Sequence, residues 1–394
     1  MASRRVEAIT RFLERKYAVQ ALWPAAGEHH LVLTHKEPDY DQFKPRGQQT
    51  LHSIDPKTMT VRRVGPPVIA EDATTLVVAR SEDGTKEFRV VRDPKDEKKV
   101  ILEVWADHFC LRRHKPKKLG AEVYSGDLFG DPQWCRDGKS IVFVAEAAEP
   151  KYTSYFDAPK DDDDDGKGGK EDDRKGQAEV EDREPPFKKF MREPSFGERA
   201  TTKIRPRLCV YEWQSDTMHV ITSPFPEGVH PCHPVFDPSN LGIVVSAYHL
   251  EGFKHGLSAC VNRNTRLYHL PTVKAPQAVD LAPGYFVALA PRFSPDGSKL
   301  AFVGSKAQFK GHSTCLELWV VDWAARKPRL VVGAVTRPSA GEFTGLWGYH
   351  NAPNSLRWVD SKRVVVQTYA KALAAVVLID TEKGEVTRVA PGEA

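Results

Sequence analysis

The stretch of sequence that decides the fold is Pro291-Arg292-Phe293-Ser294-Pro295-Asp296-Gly297-Ser298-Lys299-Leu300-Ala301-Phe302-Val303. It reads as the end of one strand, an Asp-Gly turn and a second, apolar strand. Asp296-Gly297 suits the turn because glycine adopts a positive φ without a Cβ clash and aspartate tolerates such local geometry. A second copy of the phrase runs from Pro132 to Val144. A unit that recurs with strands around it is typical of a β-propeller or another repeat fold.

Weaker copies of the phrase extend the series along the chain. They run over Pro234–Val245 and Leu356–Val366, and a second pair of strands with its own turn follows each copy. Two strand pairs per repeat make a four-stranded blade. About six repeat units can be distinguished, of which the first two, over 21–64 and 74–111, are degenerate. The sequence therefore predicts an all-β fold, a β-propeller of about six to eight four-stranded blades with seven favoured and an incomplete ring as the alternative, preceded by a short N-terminal helix.

The chain is predicted to begin with a helix that is separate from the repeats. Over residues 1–18, apolar side chains fall on one helical face, namely Val6, Ile9, Phe12, Leu13 and Tyr17. Such a helix could lie on a membrane or serve mitochondrial import, but Glu7 and Glu14 interrupt its basic face, so docking on another domain is favoured. Residues 19–394 are predicted to form the propeller.

Residues 157–203 are predicted to be a largely disordered acidic insertion within the propeller. The segment from Asp157 to Glu184 holds 13 acidic and 6 basic residues, which leaves +11 on the remainder of a chain whose net charge is +4. A segment of this charge without aromatic residues cannot bury enough apolar surface to order itself. The simplest interpretation is a tolerated surface insertion. The functional alternatives are an acidic arm for a basic partner and a cover for the basic surface of the same chain.

The composition narrows the class of protein. Hydrophobic residues make up 40% of the chain, which is ample for a packed core. No stretch approaches the ~18 apolar residues of a membrane span, and no signal-peptide run is visible near the N-terminus. The six cysteines include no Cys-x-x-Cys pair. The sequence therefore predicts a cytoplasmic protein with reduced thiols and no membrane partner.

No catalytic residue is predicted. Nucleophilic hydrolysis on an α/β fold would need Gly-x-Ser-x-Gly at a strand–turn–helix elbow, and the sequence contains no such match. The near misses place Ser258 and Ser313 in segments that lack the closing glycine and precede strand-like sequence. A serine there has no reason to face an oxyanion hole.

Metal, cofactor and nucleic-acid sites are likewise not predicted. The run His230-Pro231-Cys232-His233, with His249 and His255 beyond it, is one cluster, whereas zinc ligands usually come in two. The basic run Arg112–Lys118 could bind phosphates or act as an import signal, but it lacks the aromatic residues that stack on bases, and a solvated loop between blades is favoured. No Gly-rich phosphate loop is present. From motif and spacing alone, the chain is predicted to be a propeller without an active site of its own.

Several further stretches resemble the N-terminal half of the acylaminoacyl-peptidases, serine peptidases of the prolyl oligopeptidase clan. A first group comprises Leu102-Glu103-Val104-Trp105, Val123-Tyr124, Phe129-Gly130, Trp134 and Ser154-Tyr155-Phe156. A more specific block, Phe253, Gly256, Cys260 and Asn262-Arg263, is similar to that family's Phe-x-x-Gly-x-x-x-Cys-x-Asn-Arg segment. A third comprises Gly341-Glu342, Phe343, Gly345 and Trp358 through Val366. The resemblance covers the chain from about residue 75 onward.

This resemblance implies a propeller that covers the mouth of a C-terminal α/β-hydrolase domain carrying a Ser-Asp-His triad. Such enzymes release N-acylated amino acids from short peptides, and the propeller keeps folded proteins out. No position here matches a triad residue, so this chain is expected to be inactive alone, either as a truncated or split gene product or with a separately encoded hydrolase.

The partners implied by the resemblance are a hydrolase domain, in cis or in trans, and short N-acylated peptides through that domain. A second copy of the chain is also expected, since an incomplete ring leaves an unpaired blade edge. The alternative is a WD-repeat-like interaction scaffold with no peptidase role.

Overall fold

The computed structural model describes most of the chain. For residues 18–69 it gives the backbone of four strands, and from residue 75 onward it also gives side chains. The described residues are 18–22, 30–39, 44–54, 61–69, 75–106, 109–148, 187, 190–191, 193–221, 225–226, 228–250, 254–258, 260, 262–274, 277–308, 311–312, 314–338, 343–347, 355–370 and 373–388.

The strands form six antiparallel sheets, and each sheet uses strands that follow one another in the chain. Blade 1 comprises β1 (Ala18–Leu22), β2 (His30–Asp39), β3 (Lys44–Ile54) and β4 (Val61–Ile69). Blade 2 comprises β5 (Thr75–Arg80), β6 (Lys86–Asp93), β7 (Asp96–Ala106) and β8 (Phe109–His114). Blade 3 comprises β9 (Leu119–Val123), β10 (Gln133–Trp134), β11 (Ser140–Ala147), β12 (Pro206–Glu212) and β13 (Thr217–Ile221).

The second half of the chain repeats the pattern. Blade 4 comprises β14 (Val229–Phe236), β15 (Ile243–His249), β16 (Thr265–Leu270) and β17 (Val279–Asp280). Blade 5 comprises β18 (Val287–Phe293), β19 (Lys299–Ser305), β20 (Cys315–Asp322), β21 (Lys327–Val332) and β22 (Leu346–Trp347). Blade 6 comprises β23 (Arg357–Trp358), β24 (Arg363–Ala370), β25 (Leu373–Asp380) and β26 (Val386–Arg388).

The first strands of blades 2 to 6 follow one another around a common axis. Strand β5 contacts β10, β10 contacts β14, β14 contacts β18 and β18 contacts β23. In blade 3 this innermost position is shared by two strands, because Val123 of β9 and Trp134 of β10 pair with opposite ends of β11. Residues 124–132 leave the sheet between them and form a loop beside the axis. The fold therefore brings inner-strand residues of several blades together.

The hydrophobic core lies between neighbouring blades. A sheet that has a blade on each side is therefore buried on both of its faces. Along β19, Leu300 and Phe302 pack against blade 4, whereas Ala301 and Val303 pack towards blade 6. Successive side chains of a strand point to opposite faces, so a strand buried on both faces reads as a continuous apolar run. Burial of Phe302, which has no exposed surface, contributes about 2–3 kcal/mol.

The Asp-Gly turn between the first and second strands has one local structure in three blades. A short side chain donates to the turn aspartate in Ser81–Gly84 at 2.6 Å, in Cys135–Gly138 at 2.8 Å and in Ser294–Gly297 at 2.6 Å. The turn glycines have φ of 71°, 67° and 75° respectively, a backbone conformation that favours glycine. Asp137 and Asp296 are exposed, as predicted.

The prediction of an all-β propeller is confirmed, with differences in detail. Seven blades were favoured, and the described strands form six sheets. The repeats expected over 21–64 and 74–111 correspond to blades 1 and 2, each of which has four strands. Blade 2 is not degenerate at its turn, because Ser81-Glu82-Asp83-Gly84 repeats the Asp-Gly phrase.

The three aromatic residues that end the inner strands of blades 3, 5 and 6 were expected to be buried between blades. Trp134, Phe293 and Trp358 are half-buried instead, each packed at the edge of an apolar cluster. They lie at the ends of inner strands, close to the surface turns, and this position explains their partial exposure.

Two of the predicted segments fall largely outside the described residues. The helix predicted over 1–18 lies outside them except for Ala18, the first residue of β1. Of the acidic insertion predicted over 157–203, residues 193–203 are fully described, and Phe196 and Ala200 there are buried in the core. This end of the range is packed against the blades. None of the described residues belongs to a helix long and apolar enough to cross a membrane.

Candidate functional site

We call the second-to-last residue of each inner strand the axial position. In blades 2 to 6 it is occupied in turn by Ala79, Gln133, Val235, Arg292 and Arg357. These five residues are equivalent because each stands at the same distance from the turn that follows its strand. Arginine at two adjacent blades makes the axis asymmetric.

Hydrogen bonds between blades confirm this register. The indole N–H of Trp134 donates to the carbonyl oxygen of Ala79 at 3.0 Å, from blade 3 to blade 2. The indole N–H of Trp358 donates to the carbonyl oxygen of Arg292 at 2.8 Å, from blade 6 to blade 5. Both bonds join the residue after one axial position to the axial residue of the preceding blade. Arg357 therefore follows Arg292 directly around the axis.

The two axial arginines have the same local contact. Arg292 donates from Nη1 to the carbonyl oxygen of Pro291 at 2.8 Å, and Arg357 donates from Nη1 to that of Leu356 at 2.8 Å. Gln133 donates to its own preceding carbonyl at 3.1 Å in the same way. In three blades, therefore, the axial side chain makes the same hydrogen bond to the carbonyl oxygen of the residue before it.

Burial and charge shift the pKa values of both guanidinium groups downward. Arg292 is only 8% exposed, and burial, followed by repulsion from Arg357, lowers its pKa to about 9, although Asp131 acts in the opposite sense. Burial also lowers the pKa of Arg357, again against the effect of Asp131. Arg357 is nevertheless accessible to water.

The loop between β9 and β10 places Asp131 among these groups. His233 of blade 4 holds the loop, because its backbone N–H donates to Phe129 at 2.6 Å and its Nε2 bonds the carbonyl oxygen of Asp127 at 2.8 Å. The hydroxyl of Tyr248 donates to the carbonyl oxygen of Leu128 at 2.7 Å. The same loop therefore binds blade 4 at three consecutive residues, and Asp131 follows two residues after the last of them.

Two features of sequence permit this close approach. His233 has φ of 48°, at a bulge where the pairing of β14 with β15 shifts register. Gly130 faces it, and a Cβ at that position would lie 2.8 Å from the Cα of His233. Phe129 then fills an aromatic cluster, with ring centroids 4.6 Å from Tyr124 and 5.3 Å from Phe196.

The histidines considered as metal ligands have structural contacts instead. Burial lowers the pKa of His230 to about 4, and its ring packs edge-on against Phe196 at 5.1 Å. Burial likewise lowers the pKa of His233 to about 4, so its ring is neutral at pH 7. His249 bonds the hydroxyl of Tyr268 at 2.8 Å. In the part of the chain that the structure describes, no three His, Cys, Asp or Glu side chains are grouped to hold a metal ion.

The basic run Arg112–Lys118 was expected to be a solvated loop, and its first residues belong to strand β8. Arg112 donates to the carbonyl oxygens of Trp213 and Gln214 of blade 3, both at 3.2 Å. Lys115 pairs with Asp93 at 2.9 Å. The run thus joins blades 2 and 3. Of the two serines considered as nucleophiles, Ser258 is half-buried in a turn, and Ser313 lies outside the described residues.

The axial group of Asp131, Arg292 and Arg357 was not identified from the sequence. Its signal was present, because each arginine precedes the aromatic residue of a repeated phrase, but the phrase was used for the fold alone. The group has no nucleophile. Its guanidinium N–H donors suit planar oxyanions such as carboxylates.

Comparison with known proteins identifies the family of this propeller. The sequence model of the family described as "Acylamino-acid-releasing enzyme, N-terminal domain" matches residues 56–394. The chain belongs to this family. Acylamino-acid-releasing enzymes of Mus musculus and Arabidopsis thaliana are 26% and 25% identical to this N-terminal domain over 75% and 77% of its length. It spans 40% and 41% of those two relatives.

A solved structure agrees with the fold of this acylamino-acid-releasing enzyme N-terminal domain. The Pyrococcus horikoshii acylaminoacyl peptidase superposes with a TM-score of 0.51 at 12% sequence identity, covering 98% of this chain and 47% of that one. At this identity the comparison supports the fold alone.

Proposed function

We propose that this chain is the access-controlling propeller of a serine peptidase that releases N-acylated amino acids from short peptides. The observation that carries the proposal is the family match, which extends over residues 56–394 and joins the chain to enzymes of which the matched part is only 40%. The sequence contains no Gly-x-Ser-x-Gly elbow, so we assign the chemistry to an α/β-hydrolase partner domain. The propeller's part is to admit short peptides and exclude longer chains.

The axial residues support the proposal that the propeller controls access while the hydrolase domain carries out the chemistry. Inner strands of neighbouring blades carry the buried Arg292 and the water-accessible Arg357 at equivalent positions, and polar groups at this place are compatible with passage of a peptide. A solved acylaminoacyl peptidase with the same fold has been obtained with Z-Gly-Gly-Phe-chloromethyl ketone, a short capped peptide derivative. We also propose a cytoplasmic location, which the six free cysteines favour.

The proposal is tested by association and labelling. A hydrolase domain from a related acylamino-acid-releasing enzyme, co-expressed with this chain, should co-purify with it and react with a fluorophosphonate probe, whereas this chain alone should not react. Deleting residues 1–18, which carry the apolar stripe of Val6, Ile9, Leu13 and Tyr17, should weaken the association. Labelling of the isolated chain, at Ser258 or Ser313 for example, would show that it has a nucleophile of its own.

A protein-interaction scaffold without peptidase role is the second candidate. The observation that favours it is the outermost strand of blade 2, where Phe109 is 72% and Leu111 42% exposed. Apolar side chains on an edge strand are a typical binding surface. Under this alternative the hydrolase domain would not co-purify, and Phe109→Ser would abolish the binding of other proteins.

A further inference from the structure

A cleft between blades 4 and 5 has a volume of about 640 Å³. Its wall on blade 4 is formed by residues 279–285, which comprise β17 and most of the connection to β18. Its wall on blade 5 includes Lys306 and the turn residues Arg326 and Lys327. Three prolines and Val279, which is 50% exposed, add apolar surface. The cleft thus combines apolar walls with positive charge, and its volume falls within the range of about 300–1,000 Å³ that is typical of ligand sites.

Aromatic rings position two of these cations. The Nζ atom of Lys306 lies 5.2 Å from the centre of the Tyr285 ring and 5.1 Å from that of Trp319. The Cζ atom of Arg326 lies 3.2 Å from the centre of the Trp323 ring, so the guanidinium group covers one face of the indole. Contact with a ring face leaves the N–H donors of a cation available to a ligand.

The charge of these cations is not balanced by protein carboxylates. Among the residues that the structure describes, none forms an ion pair with Lys306, Arg326 or Lys327. Asp237 attracts Arg326 electrostatically, and Asp280 lines the cleft. These two carboxylates, however, are paired with a histidine and an arginine of blade 4, at 2.9 and 3.8 Å respectively. The cleft therefore favours an anionic ligand.

The cations occupy both ends of the cleft. Lys306 follows Ser305, the last residue of β19, whereas Arg326 lies in the turn between β20 and β21. That turn is at the opposite end of β19, because Asp322 pairs with Lys299. The seven residues of β19 span about 20 Å at ~3.3 Å per residue. A ligand that contacts both ends needs two anionic groups at about this separation, which an extended peptide of about six residues provides.

We propose that the cleft between blades 4 and 5 binds an extended acidic peptide segment of a partner protein. One carboxylate of the segment binds Lys306 beside the rings of Tyr285 and Trp319. A second carboxylate, about five residues away, binds the planar guanidinium group of Arg326. The inference does not depend on the proposed peptidase function, because it concerns the outer strands of the propeller and needs no hydrolase domain.

The test is a binding measurement on the 394-residue chain. Isothermal titration calorimetry at constant ionic strength compares an N-acetylated alanine hexapeptide amide that has glutamate at both ends with the same peptide carrying glutamine there. The glutamate peptide should bind about tenfold more tightly, as expected for charge-assisted hydrogen bonds. Lys306→Gln and Arg326→Gln should each remove most of this preference. Lys274→Gln and Arg388→Gln, the same changes at exposed positions outside the cleft, should preserve it.

Three results would overturn the inference. They are equal binding of the two peptides, no detectable binding of the glutamate peptide at millimolar concentration, and equal losses in the cleft variants and their controls, which would indicate a general effect of charge. Circular dichroism verifies that each variant has native strands. Deleting residues 157–184, the acidic run of this chain, should leave the affinity unchanged. A gain of affinity would mean that this run competes for the cleft, and it would overturn the assignment to a partner protein.

Discussion

The hydrogen bonds between blades allow a quantitative prediction. Replacing Trp358 by phenylalanine removes the indole N–H that donates to the carbonyl oxygen of Arg292 at 2.8 Å. Phenylalanine fits this position sterically, because Phe293 occupies the equivalent position in the preceding blade. The substitution therefore isolates the hydrogen bond. The free energy of unfolding should fall by about 1–2 kcal/mol, the cost of leaving a buried carbonyl without its donor.

The equivalent change at Trp134 should have the same cost, because its indole N–H donates to Ala79 at 3.0 Å in the same register. Trp358→Ala should cost about 3 kcal/mol, since it also removes the packing of a half-buried ring. The assay is urea denaturation followed by far-ultraviolet circular dichroism, which does not depend on tryptophan fluorescence. If Trp358→Phe is as stable as the unmodified protein, or if the two phenylalanine variants differ by more than about 1 kcal/mol, the proposed register of inter-blade bonds is wrong.

Further predictions concern His233, Cys135, Cys110 and Asp137. The pKa of His233 is lowered to about 4, below its unfolded value near 6.5, so its stabilising effect is complete above pH 6.5 and is lost as the pH falls towards 4. The loss should be on the order of 3 kcal/mol, and His233→Asn should flatten this part of a stability–pH curve. Cys135→Ser should change stability by less than about 1 kcal/mol in urea denaturation, because serine occupies the same turn position in blades 2 and 5. Native-state alkylation followed by mass spectrometry should modify Cys110 first, the exposed one of the six thiols. Asp137→Ala should cost about 1 kcal/mol in thermal unfolding, less than loss of a Trp ring, because the turn is exposed.

The fold could be predicted from the sequence because its repeating unit has a local cause. Asp296-Gly297 forms a turn through its own backbone and side-chain bonds, and the apolar strand that follows is buried on both faces. The turn of Ser81–Gly84 carries the same signal, and it was missed because the strand after it begins with charged residues, Lys86 and Glu87. The number of blades was less predictable, since loops of different lengths separate the repeats.

The axial site could not be predicted because it depends on contacts between distant parts of the chain. Asp131 reaches the arginines only because His233 and Tyr248, more than a hundred residues later, hold its loop against blade 4. The packing of Phe196 was missed for a similar reason. Its neighbourhood in sequence is charged, whereas its burial depends on Phe129 and on the ring of His230.

The central claim is that this propeller controls access to a hydrolase domain, and one ratio tests it most directly. The measurement is kcat/KM for an N-acetylated peptide of about three residues divided by that for one of about thirty residues, with the hydrolase domain alone and with this chain bound. The account predicts that binding of this chain raises the ratio by at least about tenfold, mainly through loss of activity on the long peptide. A ratio that is unchanged when this chain is bound would contradict the account.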